Sequence, residues 1–186
     1  YGDRAYQSFT MALKRLRTLL GKEEALTLVG GRLTLDSRQC WTDAWVFEQL
    51  LLESQEDPVN LKKTIDLYKG QFLEAEDCGG WVVPIRIRLN RKFVSAAVRL
   101  GKQFKSTDDF RSAADLYESV LEIDDTSEEL YQELMQCYHH MGMPAQVVAV
   151  YHRCKEIIQY RFDTDPSECT KRLFQELVPS AKSPQN

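Results

Sequence analysis

The sequence predicts a mainly α-helical protein, built as an array of helical hairpins and preceded by a helix and a β-hairpin. The tripeptide Asp66-Leu67-Tyr68 recurs as Asp115-Leu116-Tyr117 and is echoed at Ala149-Val150-Tyr151, each time in a segment of helical periodicity. The last two tyrosines are 34 residues apart, which is the period of a tetratricopeptide-type hairpin. Such arrays bury apolar faces between neighbouring hairpins and present a long surface to partners. We therefore expect a binding or regulatory protein.

The composition fits one helical array with a small appendage. The chain has 186 residues, of which 43% are hydrophobic and 28% are charged, as in ordinary globular proteins. Its apolar runs are far shorter than the roughly 18 residues that suggest a membrane span, and its first residues lack the features of a secretory leader. We expect a cytoplasmic protein that makes no contact with a membrane.

The cysteines lack the spacing of a metal site. Cys40, Cys78, Cys137, Cys154 and Cys169 are scattered along the chain. No pair has the short separation of zinc ligands, and the three histidines do not supply the second half of such a site. We expect idle thiols in a reducing compartment, with no metal, disulfide or cofactor.

The first 36 residues differ in character from the rest of the chain. Residues 4–20 predict a basic amphipathic helix that Gly21 ends. Its apolar face carries Phe9, Leu13, Leu16 and Leu20. Two strand-like runs, 25–29 and 32–35, flank Gly30-Gly31, which is typical of a two-residue hairpin turn. A helix followed by a hairpin is the order of recognition helix and wing in a winged helix.

The other side of this first helix carries groups that can read DNA. Amide, hydroxyl, ammonium and guanidinium groups on one helix face have the chemistry for the major groove, although basic surface helices also occur in many proteins that bind no nucleic acid. The candidate DNA-contact residues are Gln7, Thr10, Met11, Lys14, Arg15, Thr18 and, on the hairpin, Arg32.

From residue 43 onward, caps and helix breakers divide the chain into helices. Thr42 or Asp43 can cap the first, which we expect to end near Asp57-Pro58, and Asn60 can cap a short second helix that Gly70 stops. Residues 74–80 read as a loop.

A long helix is expected to follow from about Val82. Residues 125–128 then supply cap chemistry for a further helix, Gly142 and Pro144 separate the next two, and Ser167 begins the last. We expect the aromatic residues of this region to be packing residues. They are Tyr68, Tyr117 and Tyr151 with Trp41, Trp45 and Trp81.

Charge is strongly segregated along the chain. The net charge is −4, but residues 81–105 contain seven basic residues and no acidic ones, and residues 1–36 add +2, so the remainder totals −13. Within the basic segment, Arg88, Arg91, Ser95, Arg99 and Lys102 recur at helical spacing and form one polar stripe. The four cations of this stripe either pair with the acidic remainder or form a docking surface for the DNA backbone or for an acidic patch on RNA polymerase.

Several short motifs between residues 5 and 178 occur in an order that matches a known protein family. They are the runs 12–21, 33–36, 40–44 and 67–73, Phe47-Glu48, Trp81 with Arg86 and Leu89, residues 129–131 with Leu134-Met135, residues 151–154, and residues 165–167 with Thr170 and Leu173. Together they resemble the bacterial transcriptional activator domain of SARP-type (antibiotic-regulatory) proteins, joined to the end of a winged helix. In that family the winged helix binds promoter DNA, and the helical domain supports activation and self-association.

The resemblance implies a division of the chain into three parts. Residues 1–36 would be a partial winged helix, residues 37–178 a tetratricopeptide-like bacterial transcriptional activator domain, and residues 179–186 a flexible tail. A complete winged helix has a sheet and two helices before its recognition helix, and residues 1–36 do not supply them. We therefore expect DNA binding by the full-length protein, in which the winged helix is complete. RNA polymerase and a second copy of the chain are further expected partners.

Two other functions compete with this interpretation. In a general interaction scaffold without DNA binding, the first helix would pack as an extra repeat and the DNA-contact candidates would be covered by protein. An enzyme would need a nucleophile–base pair, a phosphate-binding loop or a metal cluster, and the sequence has none of these patterns. We therefore expect a protein that is not an enzyme.

Overall fold

The computed structural model describes residues 2–53, 57–75 and 79–178. This part of the chain contains eight α-helices and one antiparallel two-stranded sheet, so the prediction of a mainly helical fold is confirmed. The chain divides into two compact units, Tyr1–Val46 and Phe47–Asn186. The domain boundary expected after residue 36 stays a prediction, and the expected tail, 179–186, lies outside the described residues.

The first unit contains a helix and a hairpin, as its sequence predicts. Helix α1 spans Gly2–Leu20, and after a short 3-10 turn the strands β1 (Leu26–Val29) and β2 (Arg32–Leu35) pair antiparallel. Gly30 and Gly31 have φ angles of +58° and +78°. Two consecutive residues in the left-handed region make the tight hairpin turn that glycine favours.

Seven helices follow the hairpin, the first of which crosses the boundary between the units. They are α2 (Asp43–Glu53), α3 (Pro58–Leu67), α4 (Val83–Ser106), α5 (Phe110–Leu121), α6 (Glu128–His140), α7 (Pro144–Phe162) and α8 (Glu168–Leu177). From α3 to α7 each helix packs on the next, and α8 packs on both α6 and α7. This succession of packed neighbours is the arrangement of a helical-hairpin array.

One of the predicted helix caps is wrong, and another, Ser127, occupies the cap position without a side-chain hydrogen bond. Helix α3 begins at Pro58, and Asp57 caps it by accepting a hydrogen bond from the Val59 amide at 3.1 Å; Asn60 lies inside the helix. Proline prefers the first helical position and aspartate the cap position before it, so these two residues start the helix earlier in the sequence than Asn60 would. At α6 the Ser127 side chain makes no capping hydrogen bond.

The core of the second unit is formed by the faces that the helices turn toward each other. Its largest fully buried side chains are Leu61, Phe93, Leu100, Tyr117, Val120, Leu130, Tyr131, Leu134, Met135 and Val147. The ring of Tyr68 is also buried and stacks on that of Phe93 with a centroid distance of 4.2 Å. Tyr151 is half-buried and stacks on Phe174 at 4.0 Å. The expectation that the three repeated tyrosines are packing residues is therefore confirmed.

The same expectation is wrong for the tryptophans. Trp41, Trp45 and Trp81 are 69%, 38% and 60% exposed. Trp41 precedes α2, and Trp81 lies in the 3-10 turn before α4, so neither lies on a packed helix face. Trp45 is two residues before the buried Phe47, and this separation places the two side chains on nearly opposite sides of α2.

Candidate nucleic-acid and protein interfaces

Helix α1 is joined to the hairpin by Arg17. Its guanidinium donates two hydrogen bonds to the carbonyl of Leu26, at 2.7 and 3.3 Å. At the base of the hairpin the Asp36 amide donates to the carbonyl of Ala25 at 2.9 Å, and Ala25 is almost fully buried. Arg17 is thus occupied by a structural contact, whereas its basic neighbours on α1 are not.

The candidate DNA-contact residues all have exposed side chains. They are Gln7, Thr10, Met11, Lys14, Arg15 and Thr18 on α1 and Arg32 on β2. The hydroxyls of Thr10 and Thr18 donate to carbonyls one turn earlier in the helix, at 2.9 and 3.0 Å. Lys14 and Thr18 line a depression of about 510 Å³ that also includes Arg17 and Lys22. The α1 face therefore presents several cations and hydroxyls together.

The apolar face of α1 is mostly uncovered. Leu13 is 8% exposed, but Phe9, Leu16 and Leu20 are between 41% and 45% exposed. In the first unit, the 3-10 turn and the hairpin pack only against the last turns of this helix. The amphipathic pattern predicted the helix correctly, but of these four residues only Leu13 is buried in the part of the chain that the structure describes.

The polar stripe on α4 has two kinds of members. Arg88 pairs with Glu48 of α2 at 3.4 Å, and Glu48 also receives a 2.5 Å hydrogen bond from Lys92. The remaining candidates for partner docking, Arg91, Arg99 and Lys102, make no ion pair with any described residue. Charge pairing accounts for Arg88 and leaves the other three cations uncompensated.

A groove runs between α2 and α4 beside these unpaired cations. We call it the basic groove, and its lining is Glu48, Leu51, Leu52, Arg91, Lys92, Ser95 and Arg99. Its volume is about 280 Å³, and Leu52 is 77% exposed. The groove combines an apolar side on α2 with two guanidinium groups on α4. Such a surface suits a partner that offers an apolar side chain next to carboxylates.

Behind the stripe, a buried polar cluster ties α4 to α5 and α6. Lys105 forms an ion pair with Glu133 and donates to the amide oxygen of Gln136 at 3.1 Å. The hydroxyl of Tyr117 donates to Glu133 at 3.4 Å, and burial together with the Glu133 charge raises the pKa of Tyr117 above its usual range. Lys105 is therefore a packing residue of the array, and its charge is not available at the surface.

A second polar cluster fixes α8 to α6. Glu128 Oε2 accepts hydrogen bonds from the Ser167 amide (2.9 Å), the Ser167 hydroxyl (2.7 Å) and the Thr170 hydroxyl (2.5 Å). Gln132 donates to Thr170 Oγ1 at 2.7 Å. Glu128 belongs to the predicted cap segment 125–128, but its carboxylate binds the start of a different helix, which sequence reasoning alone could not foresee.

Two thiols of the array are packing groups, whereas Cys169 on α8 is exposed. Cys137 and Cys154 are fully buried, and burial raises their pKa values to about 11 and about 12. Cys78 lies outside the described residues. Over residues 2–53, 57–75 and 79–178, no group of three metal-ligand side chains comes together. In the same part of the chain, no helix has both the length and the apolar character needed to cross a membrane.

Comparison with known proteins gives one family and one related fold. The family model described as the bacterial transcriptional activator domain matches residues 42–178. The structure is similar to that of Mycobacterium tuberculosis EmbR, solved in complex with a low-affinity phosphopeptide, with a TM-score of 0.66 and 16% sequence identity. The match covers 93% of this chain and 49% of the EmbR chain, so this chain spans about half the length of EmbR.

The two comparisons support different statements. At 16% identity, the likeness to EmbR shows a shared fold. No curated protein sequence matches the chain. The family model, however, covers most of the second unit and well over half of the sequence. The chain belongs to the bacterial transcriptional activator domain family.

Proposed function

We propose that this chain is the regulatory part of a bacterial transcriptional activator. In this function the helical array mediates protein–protein contacts and self-association, and α1 with its hairpin belongs to a DNA-binding winged helix. The observation that carries the proposal is the family match over residues 42–178. The role is one of binding and regulation in the cytoplasm, and no step of it requires catalysis or a cofactor.

The exposure of the α1 face supports the DNA-binding part of this proposal. Lys14 and Arg15 are solvent-exposed, as residues that approach the major groove must be in the unbound protein. Arg32 lies on the hairpin, where a wing would reach a phosphate. In the full-length protein, the complete winged helix would provide the hydrophobic contact that the α1 face of Phe9, Leu16 and Leu20 lacks here.

The unpaired cations of α4 support the protein-contact part. Arg91, Arg99 and Lys102 make no ion pair with a described residue, so their charges are available to an external ligand. Arg91, Arg99 and Lys102 would attract an acidic protein surface, RNA polymerase being one candidate, and Arg88 would contribute from its pair with Glu48. The alternative function is an interaction scaffold without DNA binding, and the exposed α1 face does not favour it.

The DNA-binding role is tested by replacing Lys14 with alanine in the full-length protein. We expect operator affinity to fall and the slope of log affinity against log salt to decrease by about one, because one phosphate or base contact is lost. The melting temperature should change little, since Lys14 is exposed. Fluorescence anisotropy with operator DNA at several salt concentrations measures both quantities.

Lys63→Ala is the matched control, because Lys63 is an exposed lysine on α3. Unchanged operator affinity in the Lys14→Ala protein would remove this residue from the reading face. The same result with Arg15→Ala would show that the α1 face does not contact DNA, and absence of operator binding by the wild-type protein would favour the scaffold without DNA binding.

A further inference from the structure

We propose that the basic groove of one chain binds the C-terminal end of α7 of a second copy, so that the second units associate head to tail. This inference rests on the self-association in the function proposed above and gives it a surface and a partner. We call the second surface the α7 tip, defined as residues 160–165. Both surfaces belong to the second unit.

The α7 tip presents exposed aromatic rings beside carboxylates. Tyr160 is 84% exposed and Phe162 is 57% exposed. Asp163 follows in the left-handed conformation that ends the helix, with φ +52°, and Asp163 and Asp165 are both exposed. Large aromatic side chains left in solvent are enriched at protein interfaces. The tip therefore has the composition of a binding surface.

The charge at the α7 tip is negative. Asp163 accepts a hydrogen bond from Gln159 but makes no ion pair with a described residue. Lys171 lies 3.9 Å from Asp165 and 2.9 Å from Glu168, so it neutralises only part of that group. Arg161 is already paired with Asp125 at 3.2 Å. The helix dipole places a further partial negative charge at this C-terminus, which adds to the negative charge of the two aspartates.

The two surfaces are complementary in charge and in apolar character. The basic groove has an apolar side, formed by Leu51 and the exposed Leu52, that an aromatic ring of the tip can cover. With an aromatic ring of the tip on this apolar side, Arg91 and Arg99 would pair with the carboxylates of the tip. Neither guanidinium has an ionic partner among the described residues, so no ion pair of the described residues breaks on association.

The charge distribution of the chain favours a second copy as the occupant. The basic segment 81–105 carries +7, while the sequence outside it and outside residues 1–36 carries −13. Each copy thus supplies both the cationic and the anionic partner. Because the groove and the tip are different surfaces, a pair of copies joined by one contact leaves one groove and one tip free. Such heterologous contacts continue into longer assemblies or close into a ring.

The test is sedimentation of the whole chain and of two variants that each remove one surface. The groove variant carries Arg91→Glu and Arg99→Glu, and the tip variant carries Tyr160→Lys and Phe162→Lys. Arg91, Tyr160 and Phe162 are exposed and Arg99 is partly exposed, so circular dichroism should show wild-type folding. We expect the wild type to form species larger than a dimer as concentration rises, and each variant alone to associate at least about tenfold more weakly.

Mixing the two variants gives the decisive result. The groove variant retains its tip and the tip variant retains its groove, so an equimolar mixture should form a 1:1 complex that does not grow further. Lys62→Glu with Lys63→Glu is the control, because it makes the same charge change on exposed lysines of α3 and should associate like the wild type. A monomeric wild type, a dimer that both variants preserve, or a mixture that stays monomeric would each overturn the proposal.

Failure of this inference can be separated from failure of the proposed function. If the groove variant associates like the wild type but no longer activates a reporter promoter, the groove binds another protein, and only the head-to-tail contact is wrong. If the groove variant changes neither association nor activation, the protein-contact role of α4 is wrong as well.

Discussion

Gly101 sets the distance between α4 and α5. A Cβ atom at this position would lie 2.1 Å from Tyr117 Oη and 2.3 Å from Tyr117 Cζ. Tyr117 is fully buried, and its hydroxyl donates to Glu133, so the ring has no free space into which it can move. In the sequence, no turn or helix cap explains a glycine at residue 101. The structural reason is the Tyr117 side chain, which packs against this position from another helix.

We predict that Gly101→Ala destabilises the protein although alanine favours helices. The gain in helix propensity is about 1 kcal/mol, whereas overpacking a core costs about 1–3 kcal/mol or more, and the short distances to Tyr117 favour the larger cost. Tyr117→Ala alone should cost about 3–5 kcal/mol. Chemical denaturation of both single variants and the double variant measures these values.

The double variant is the control for this explanation. Once Tyr117 is replaced by alanine, the added methyl group at residue 101 meets no ring, so Gly101→Ala should then be neutral or stabilising. An equal cost of Gly101→Ala in both backgrounds would show that the close approach to Tyr117 is not its cause.

At the scale of elements, the carboxylate of Glu128 anchors the start of α8 to α6. Burial by itself raises the pKa of Glu128, but hydrogen bonds from Thr170 and Ser167 and the charge of Lys171 outweigh it and lower the net pKa below the usual 4.5. A group whose pKa is lowered on folding stabilises the protein above its unfolded pKa. That contribution disappears as the pH falls through the folded pKa.

Glu128→Gln should therefore destabilise the protein at pH 7 by about 1.5–3 kcal/mol, the range for hydrogen bonds to a charged group. The difference from the wild type should shrink as the pH falls below 4.5, because the wild-type carboxylate then becomes protonated. Urea denaturation across this pH range measures it. Glu129→Gln, at the exposed neighbouring residue, is the control. A difference that stays constant with pH would contradict the role given to the Glu128 charge.

Most elements could be predicted from local sequence signals, and the exceptions have local reasons. Gly30-Gly31 predicts the hairpin turn because few other residues adopt two consecutive positive φ angles. The start of α3 was misplaced because Asp57 and Asn60 are both good caps, and Pro58 decides between them. The exposure of Trp81 was missed because aromatic composition says nothing about which way a short turn faces.

For the whole molecule, the sequence predicts the family and the array but not which charges remain unpaired. The helical spacing of Arg88, Arg91, Arg99 and Lys102 places them on one stripe, as expected. Which of them pairs depends on Glu48, a residue of α2 some forty positions earlier, and this contact exists only after folding. The same holds for the apolar side of the basic groove, which α2 contributes.

The central claim is that the array of this family member acts in transcription through the basic groove. Reporter transcription by full-length protein with Arg91→Glu and Arg99→Glu tests it most directly, with folding checked by circular dichroism and Lys62→Glu/Lys63→Glu as the charge-matched control. We expect the folded groove variant to lose activation by about tenfold or more, while the control activates normally. Normal activation by the folded groove variant would show that the array does not act through the basic groove.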